Sequence, residues 1–184
     1  IDGLTIPTPS PDPTDFIDRV DNPWFPLVPG TRWTYRAYST TTMLTEHVRV
    51  LDASVVVDGV DTVAVRVTTS QGGRTTFSAE RWYAQDTAGN VWWFGQRARG
   101  GGAPDDVLAP RSWRAGTDGA VAGLVMSAAP RLGDGYENGY LKGVFERRAT
   151  VRSLTATISL PHSKYRTTVE TQDESGTEPT VVVT

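Results

Sequence analysis

The segment Ala79–Gln96, AERWYAQDTAGNVWWFGQ, constrains the fold more than any other part of the chain. It contains three of the six tryptophans, and Asp86–Asn90 in its middle consists largely of residues that tolerate positive φ or hydrogen-bond their own backbone. This pattern predicts a β-hairpin with strands over about Thr75–Gln85 and Asn90–Gln96. Alternation along each strand places large aromatic side chains on both faces. We expect one face to fill a core and the other to be covered or offered to a ligand.

The rest of the chain has the pattern of an antiparallel meander. Turn signals separate β-branched runs with no helical segment between them, and Asp58-Gly59 between two valine runs is a strong hairpin signal. The sequence therefore predicts a mainly β chain, in which an antiparallel meander forms a barrel or a strongly curved half-barrel with a proline-rich N-terminal arm. Thr180–Thr184 ends the chain as a valine-rich strand, and we expect it to be paired because a free edge promotes aggregation.

We predict two parts in the chain. Residues 1–20 form a proline-rich arm or linker with a short helical turn near Thr14–Val20, because alternating prolines favour extended polyproline geometry. An ordered arm lying across the sheet is the alternative. Residues 21–184 form one β-barrel-like domain. Within it, residues 97–110 are expected to be a mobile surface loop, and the glycine-rich residues 115–129 a buried or rim-covering loop.

Composition excludes several kinds of function. The net charge of −3 argues against nonspecific binding to nucleic acid or to anionic membranes, which favour strongly basic proteins. The chain has no cysteine, so it has neither disulfides nor thiolate ligands, and no apolar run approaches the length of a membrane span. Its two histidines, His47 and His162, lack the neighbours of a metal site or a catalytic triad. We therefore predict no cofactor, no metal and no nucleic-acid partner.

Carboxylates leave acid–base chemistry open. A pair of them inside a barrel could include one with a pKa raised by burial, which suits proton transfer. Structural ion pairs with Arg81, Arg114 or Arg147 are the alternative, and the sequence does not decide whether the chain is an enzyme. The carboxylates in or beside the aromatic segments are Glu80, Asp86, Asp118, Asp134, Glu137 and Glu146.

Aromatic side chains are the stronger indication of a binding site. They could line a cavity or a flat stacking face for a small hydrophobic or amphipathic ligand. The alternative is that they fill the core of a sheet that contains few leucines. The predicted ligand-binding residues are Trp82, Tyr83, Trp92, Trp93, Trp113 and Tyr136.

Several motifs in order resemble a family of exported proteins and lipoproteins of bacteria, common in actinobacteria. The motifs are NPWFPL at residues 22–27, PGTRWTY at 29–35, WYAQDTAGNVW at 82–92, SWRAGTDGA at 112–120 and GDGY at 133–136. The resemblance covers about Asp21 to Val183. It implies export and a predominantly β fold, but no assigned activity.

The resemblance has further implications. Family members have acidic residues near the positions of Gln96, Gly139 and Arg147, so a carboxylate or metal function of the family would not carry over here. The family also continues past the last valine strand, which implies a truncated chain. A start at Ile1 suits a processed export product or a trimmed chain. We expect a secreted or envelope-associated protein that meets the membrane only through an N-terminal anchor that is removed or missing.

The sequence leaves three functions open. The first is an exported β-barrel-like protein that binds a small hydrophobic or amphipathic ligand in an aromatic-lined cavity. The second is a barrel enzyme that uses one or two carboxylates on a small molecule. The third is an interaction or assembly module of the cell envelope, which meets a protein partner through its edge valine strand or through the loop 97–110.

Overall fold

The computed structural model describes residues 11–38, 43–99, 112–141, 145–160, 163–175 and 178–183. Apart from a short 3₁₀ helix at Pro13–Asp15, the regular elements of these residues are β-strands. The strands are β1 (Phe16–Ile17), β2 (Arg32–Tyr38), β3 (Met43–Val57), β4 (Val60–Gln71), β5 (Arg74–Asp86), β6 (Val91–Arg99), β7 (Ser112–Arg114), β8 (Ala120–Val121), β9 (Gly123–Met126), β10 (Gly135–Leu141), β11 (Phe145–Leu160), β12 (Ser163–Ser175) and β13 (Glu178–Val183).

The first sheet, sheet A, is strongly curled into an antiparallel half-barrel. Its strands follow the order β2-β3-β4-β5-β6-β7, so consecutive strands are neighbours, as a meander requires. Two short strands extend it: β1 pairs with the end of β5, and β9 pairs with the start of β6. The predicted antiparallel half-barrel is confirmed.

The second sheet, sheet B, has the order β13-β12-β11-β10-β8. The segment Ala120–Met126 joins the two sheets, because β8 pairs with β10 while β9, only two residues later, pairs with β6. A Cβ built on Gly123 would overlap the backbone of Asn138 and Gly139, so β9 lies directly against β10 and only glycine fits there. The two sheets therefore share a tightly packed seam.

The predicted strands occur where the alternation placed them, with boundaries that differ by a few residues. The aromatic hairpin is confirmed as β5 and β6, and the register pairs Tyr83 with Trp93 and Ala84 with Trp92. The valine-rich terminal strand is paired, as expected, with β12. The prediction of a loop over residues 115–129 was wrong in part, because β8 and β9 lie within it; these strands are too short to reveal alternation.

Two predictions concern residues that the structure does not describe. Residues 1–10 hold the first half of the proline-rich arm, and residues 100–111 hold most of the predicted mobile loop. From Pro11 onward the described residues are attached to sheet A, since β1 pairs with β5 and Thr87 N donates to the carbonyl of Asp15. In the described residues no helix is long and apolar enough to cross a membrane.

The core lies on both faces of the β5–β6 hairpin. On one face Trp82, Trp92 and Phe94 are buried, and on the other face Tyr83 and Trp93 are buried. Phe16 of β1 covers the first face, with its ring centroid 5.1 Å from that of Phe94. Both aromatic faces are therefore covered by the chain itself.

Candidate functional site

The six aromatic residues predicted to bind a ligand are all buried within one hydrophobic core, and their exposed fractions lie between 2% and 8%. Trp93 and Trp113 meet edge to face with ring centroids 4.9 Å apart, a favourable arrangement of two indole rings. Tyr136 of β10 reaches the same core from sheet B. The structure thus brings the predicted residues together as a packed core, and their role in ligand binding stays a prediction.

The indole N–H or phenol O–H groups of four of these six rings donate hydrogen bonds within the protein. Trp93 Nε1 donates to the carbonyl of Gly95 at 2.8 Å, and the Tyr136 hydroxyl donates to the carbonyl of Val125 at 3.3 Å. The other two indole groups donate to carboxylates, Trp92 to Asp86 and Trp82 to Glu80. Because buried N–H and O–H groups need a partner, these bonds fix the rings in place.

Two arginines that the sequence did not single out for binding flank Trp93. The guanidinium of Arg81 lies 5.9 Å from the ring centroid of Trp93, and that of Arg147 lies 6.0 Å from it. Arg81 also donates to the side chain of Gln96, which is 3% exposed. Alternation alone could not place Arg81 beside Trp93, because the register between β5 and β6 contains a bulge.

Hydrogen bonds connect residues from two of the motifs that carry the family resemblance. The side chain of Gln85 accepts hydrogen bonds from the backbone N–H groups of Asp21 and Asn22, at 3.0 and 2.8 Å. It also donates to the carboxylate of Asp21 at 2.7 Å. Hydrogen bonds from Arg19 and then from Gln85 lower the pKa of Asp21. These contacts tie the segment before β2 to the hairpin.

The hairpin turn is closed by a second set of polar contacts. The carboxylate of Asp86 accepts from the backbone and side-chain N–H groups of Asn90, at 2.8 and 2.9 Å, and from Trp92 Nε1. Asn90 Oδ1 in turn accepts from the backbone N–H of Ala128. The QDxxGN motif therefore has a structural role in this chain.

Two other candidate carboxylates form ion pairs with arginines. Glu80 lies 3.5 Å from the guanidinium of Arg66 and 3.3 Å from that of Arg97, and Asp134 lies 3.4 Å from Arg131. These two carboxylates thus form ion pairs, but with Arg66, Arg97 and Arg131 and not with the arginines named from the sequence. Across the described ranges, no group of three or more histidine and carboxylate side chains is placed to hold a metal ion.

A cleft opens beside the core on the face that the arm covers. We call it the arm cleft, and its volume is about 150 Å³. The N-terminal arm, the turn between β3 and β4, β6 and the β8–β9 segment each form part of its wall. The lining residues are Pro11, Pro13, Asp58, Val60, Phe94, Ala120, Val121 and Ala122. None of the six predicted aromatic residues is among them.

Asp58 supplies the charged side chain of the arm cleft. It lies in the turn Asp58-Gly59, where both residues have positive φ, as the predicted two-residue hairpin turn requires. A Cβ built on Gly116 would overlap the Asp58 carboxylate. The carboxylate can therefore occupy this position only because residue 116 has no side chain. Asp58 is exposed and forms no ion pair within the described part of the chain. The sequence predicted the turn but could not place it beside Pro13 and Phe94.

Comparisons of the chain with protein-family models, with curated proteins and with solved structures found no match. The resemblance to exported bacterial proteins therefore stays a prediction, and a function has to be inferred from the geometry of the molecule.

Proposed function

We propose that this chain binds a small amphipathic molecule whose apolar group enters the arm cleft and whose cationic group meets Asp58. The observation that supports this proposal is the arm cleft itself, where apolar side chains lie beside polar groups that include the carboxylate of Asp58. Phe94, Val60 and two prolines offer apolar contacts, and a carboxylate near them forms a charge-assisted hydrogen bond with an ammonium group. This combination favours neither a purely hydrophobic ligand nor an anion.

The size of the arm cleft limits the ligand. Its volume of about 150 Å³ is close to that of a cavity that holds one benzene ring. Sites that enclose a whole drug-sized ligand have volumes of roughly 300 Å³ or more. A single ring or a short alkyl chain therefore fits inside, while the rest of the molecule stays at the rim. Binding by the aromatic core, as the sequence predicted, would instead require the packed rings to move apart.

The proposal can be tested by isothermal titration with phenethylamine, with 2-phenylethanol as its uncharged counterpart. We expect the amine to bind more tightly. Asp58→Asn removes the charge and keeps a residue that tolerates positive φ, and it should weaken amine binding about tenfold, as expected for one charge-assisted hydrogen bond. Val121→Phe should abolish binding of both compounds because the larger side chain fills the arm cleft.

Asp61→Asn is the matched control, because Asp61 is exposed, lies three residues from Asp58 and does not line the arm cleft. It makes the same change in net charge and should leave the affinity unchanged. Equal losses in the two variants, or full binding by Val121→Phe, would show that the ligand binds elsewhere. Export of the chain is a separate proposal, for which fractionation of the source cells is the direct test.

A further inference from the structure

Arginine side chains line the exposed part of one face of sheet A, and farther along β5 the same face carries the buried Trp82. Alternation along β2 places Arg32, Thr34 and Arg36 on the face away from Trp33. The register then pairs Arg32 with Arg49, and Arg49 with Arg66. Residues directly opposite in an antiparallel pair share a face, so one row of arginines crosses three neighbouring strands.

The row continues across the next two strands. Arg66 pairs with Glu80 of β5, and Glu80 pairs with Arg97 of β6. Neighbouring strands lie about 4.8 Å apart, so the row from Arg32 to Arg97 spans about 19 Å. We define the arginine face by its cations, which are Arg32, Arg36, Arg49, Arg66, Arg97 and Arg99.

This face is strongly basic although the chain as a whole is acidic. All six arginines are exposed. Glu80 is the carboxylate in the row, and it is shared between Arg66 and Arg97. Arg32 and Arg49 form no ion pair with any residue that the structure describes. Because the net charge of the chain is −3, the rest of the molecule carries the excess of negative charge.

Directly opposed like charges destabilise a sheet. Arg32, Arg49 and Arg66 therefore lower the stability of the free protein, and an anion that bridges them would remove this cost. Features that oppose stability in this way are typical of functional sites. The arginine fork also matches carboxylate, sulfate and phosphate groups in a bidentate manner, which a lysine does not.

A second row beside the arginines is rich in hydroxyl groups. The residues of this row lie two positions along each strand from the arginine row, on the same face. They are Thr34, His47, Thr68 and Ser78. Hydroxyl and imidazole groups can donate to and accept from the hydroxyl groups of a sugar. His47 is the one ring in the two rows on which a nucleic-acid base could stack, and neither row contains a large apolar side chain that could enter a bilayer.

From this combination we propose that the arginine face binds an acidic polysaccharide, whose charged groups meet the arginines and whose hydroxyl groups meet the second row. Cations and hydroxyl groups lie side by side, with His47 as the one ring in the two rows. This combination fits an acidic polysaccharide better than nucleic acid, whose bases need several stacking platforms, or a membrane, which needs large apolar side chains. The site is independent of the arm cleft, since none of the arginines lines that cleft.

The test uses heparin oligosaccharide and polygalacturonate as probes, in isothermal titration at low salt, with uncharged dextran as the neutral polymer. We expect binding of at least one acidic polymer and none of dextran. The double variant Arg32→Gln/Arg49→Gln should weaken this binding about tenfold or more, through the loss of two charge-assisted contacts. The dependence of log K on log salt should become shallower by between about one and two, as for the loss of two ionic contacts to a polyanion.

The matched control is Lys164→Gln/Arg166→Gln, which makes the same change in net charge on exposed residues of β12 in sheet B. It should retain the affinity of the natural sequence. Circular dichroism and thermal melting should show that both double variants are folded. The proposal is overturned if neither acidic polymer binds, if the control loses as much affinity, or if a single-stranded oligonucleotide or phosphatidylglycerol vesicles bind more tightly than the polysaccharides.

Discussion

At the scale of single residues, the polar side chains of the aromatic hairpin stabilise the fold through the buried groups that they satisfy. Asp86 accepts from two groups of Asn90 and one of Trp92, and Gln85 accepts from two backbone N–H groups beyond the arm. A buried donor without an acceptor costs about 1–3 kcal/mol, so each of these bonds avoids a substantial loss of stability. Their arrangement explains the motif without requiring a catalytic role.

Gly123 provides a test of the seam between the sheets. Gly123→Ala should lower the free energy of unfolding by about 1–3 kcal/mol, because the added methyl group would overlap the backbone of Asn138 and Gly139, which has little room to move. Chemical denaturation followed by tryptophan fluorescence measures the change. Gly135→Ala is the control, since the atom nearest to its added methyl group would be 4.0 Å away. Equal stabilities of the two variants would contradict the close contact of β9 and β10.

At the scale of elements, the short strand β1 and the residues before it cover one aromatic face of the hairpin. Phe16 meets both Trp92 and Phe94 edge to face, with ring centroids 6.5 and 5.1 Å away. The same segment supplies Pro11 and Pro13 to the arm cleft. A strand of two residues has few backbone hydrogen bonds, so the aromatic contacts of Phe16 are its main attachment.

Phe16→Ala should therefore release the arm locally before the whole molecule unfolds. We expect a loss of about 2 kcal/mol in stability, below the usual range for a truncated phenylalanine because Phe16 is only half-buried. Hydrogen exchange should become faster at Thr87 N, which donates to the carbonyl of Asp15. Leu132→Ala, at a residue that is 70% exposed, should change neither measurement. Unchanged exchange at Thr87 in Phe16→Ala would mean that other contacts hold the arm.

At the scale of the whole molecule, the electrostatic surroundings of Tyr35 include groups from both sheets. Tyr35 of β2 in sheet A lies near Tyr165 of β12 in sheet B, and both side chains are more than half exposed. Burial, followed by the charge of Glu46 and the neighbouring Tyr165, raises the pKa of Tyr35. Tyr35 therefore keeps its proton to a higher pH than an ordinary tyrosine does.

The raised pKa of Tyr35 predicts a loss of stability in alkaline solution. Above the ordinary tyrosine pKa of about 10, the unfolded chain loses the Tyr35 proton first, so the folded state binds more protons. The contribution is complete below that pH and is lost as the pH rises through the folded-state pKa. Urea denaturation across the alkaline range, from well below to just above the ordinary tyrosine pKa, should show a shallower fall in stability for Tyr35→Phe than for the natural sequence. Identical slopes would contradict the proposed environment of Tyr35.

The amino-acid sequence by itself determined the local features of this protein. Period-two alternation and turn chemistry act between near neighbours, so the strands, the Asp58-Gly59 turn and the aromatic hairpin could be predicted from residue types alone. The alternation also showed that Arg32 and Arg36 share a face, although not what lies beside them. The short strands β8 and β9 were not predicted, because two and four residues are too few to show period-two alternation.

Only the tertiary structure decided which surfaces are covered and which are left open. Phe16 covers the hairpin through a pairing between distant segments, and the arm cleft needs four separate elements to meet. The arginine face depends on the register of four strand pairs, in which a slip of one residue would turn a whole strand over. These arrangements arise from long-range packing and pairing, which residue types and their spacing do not specify.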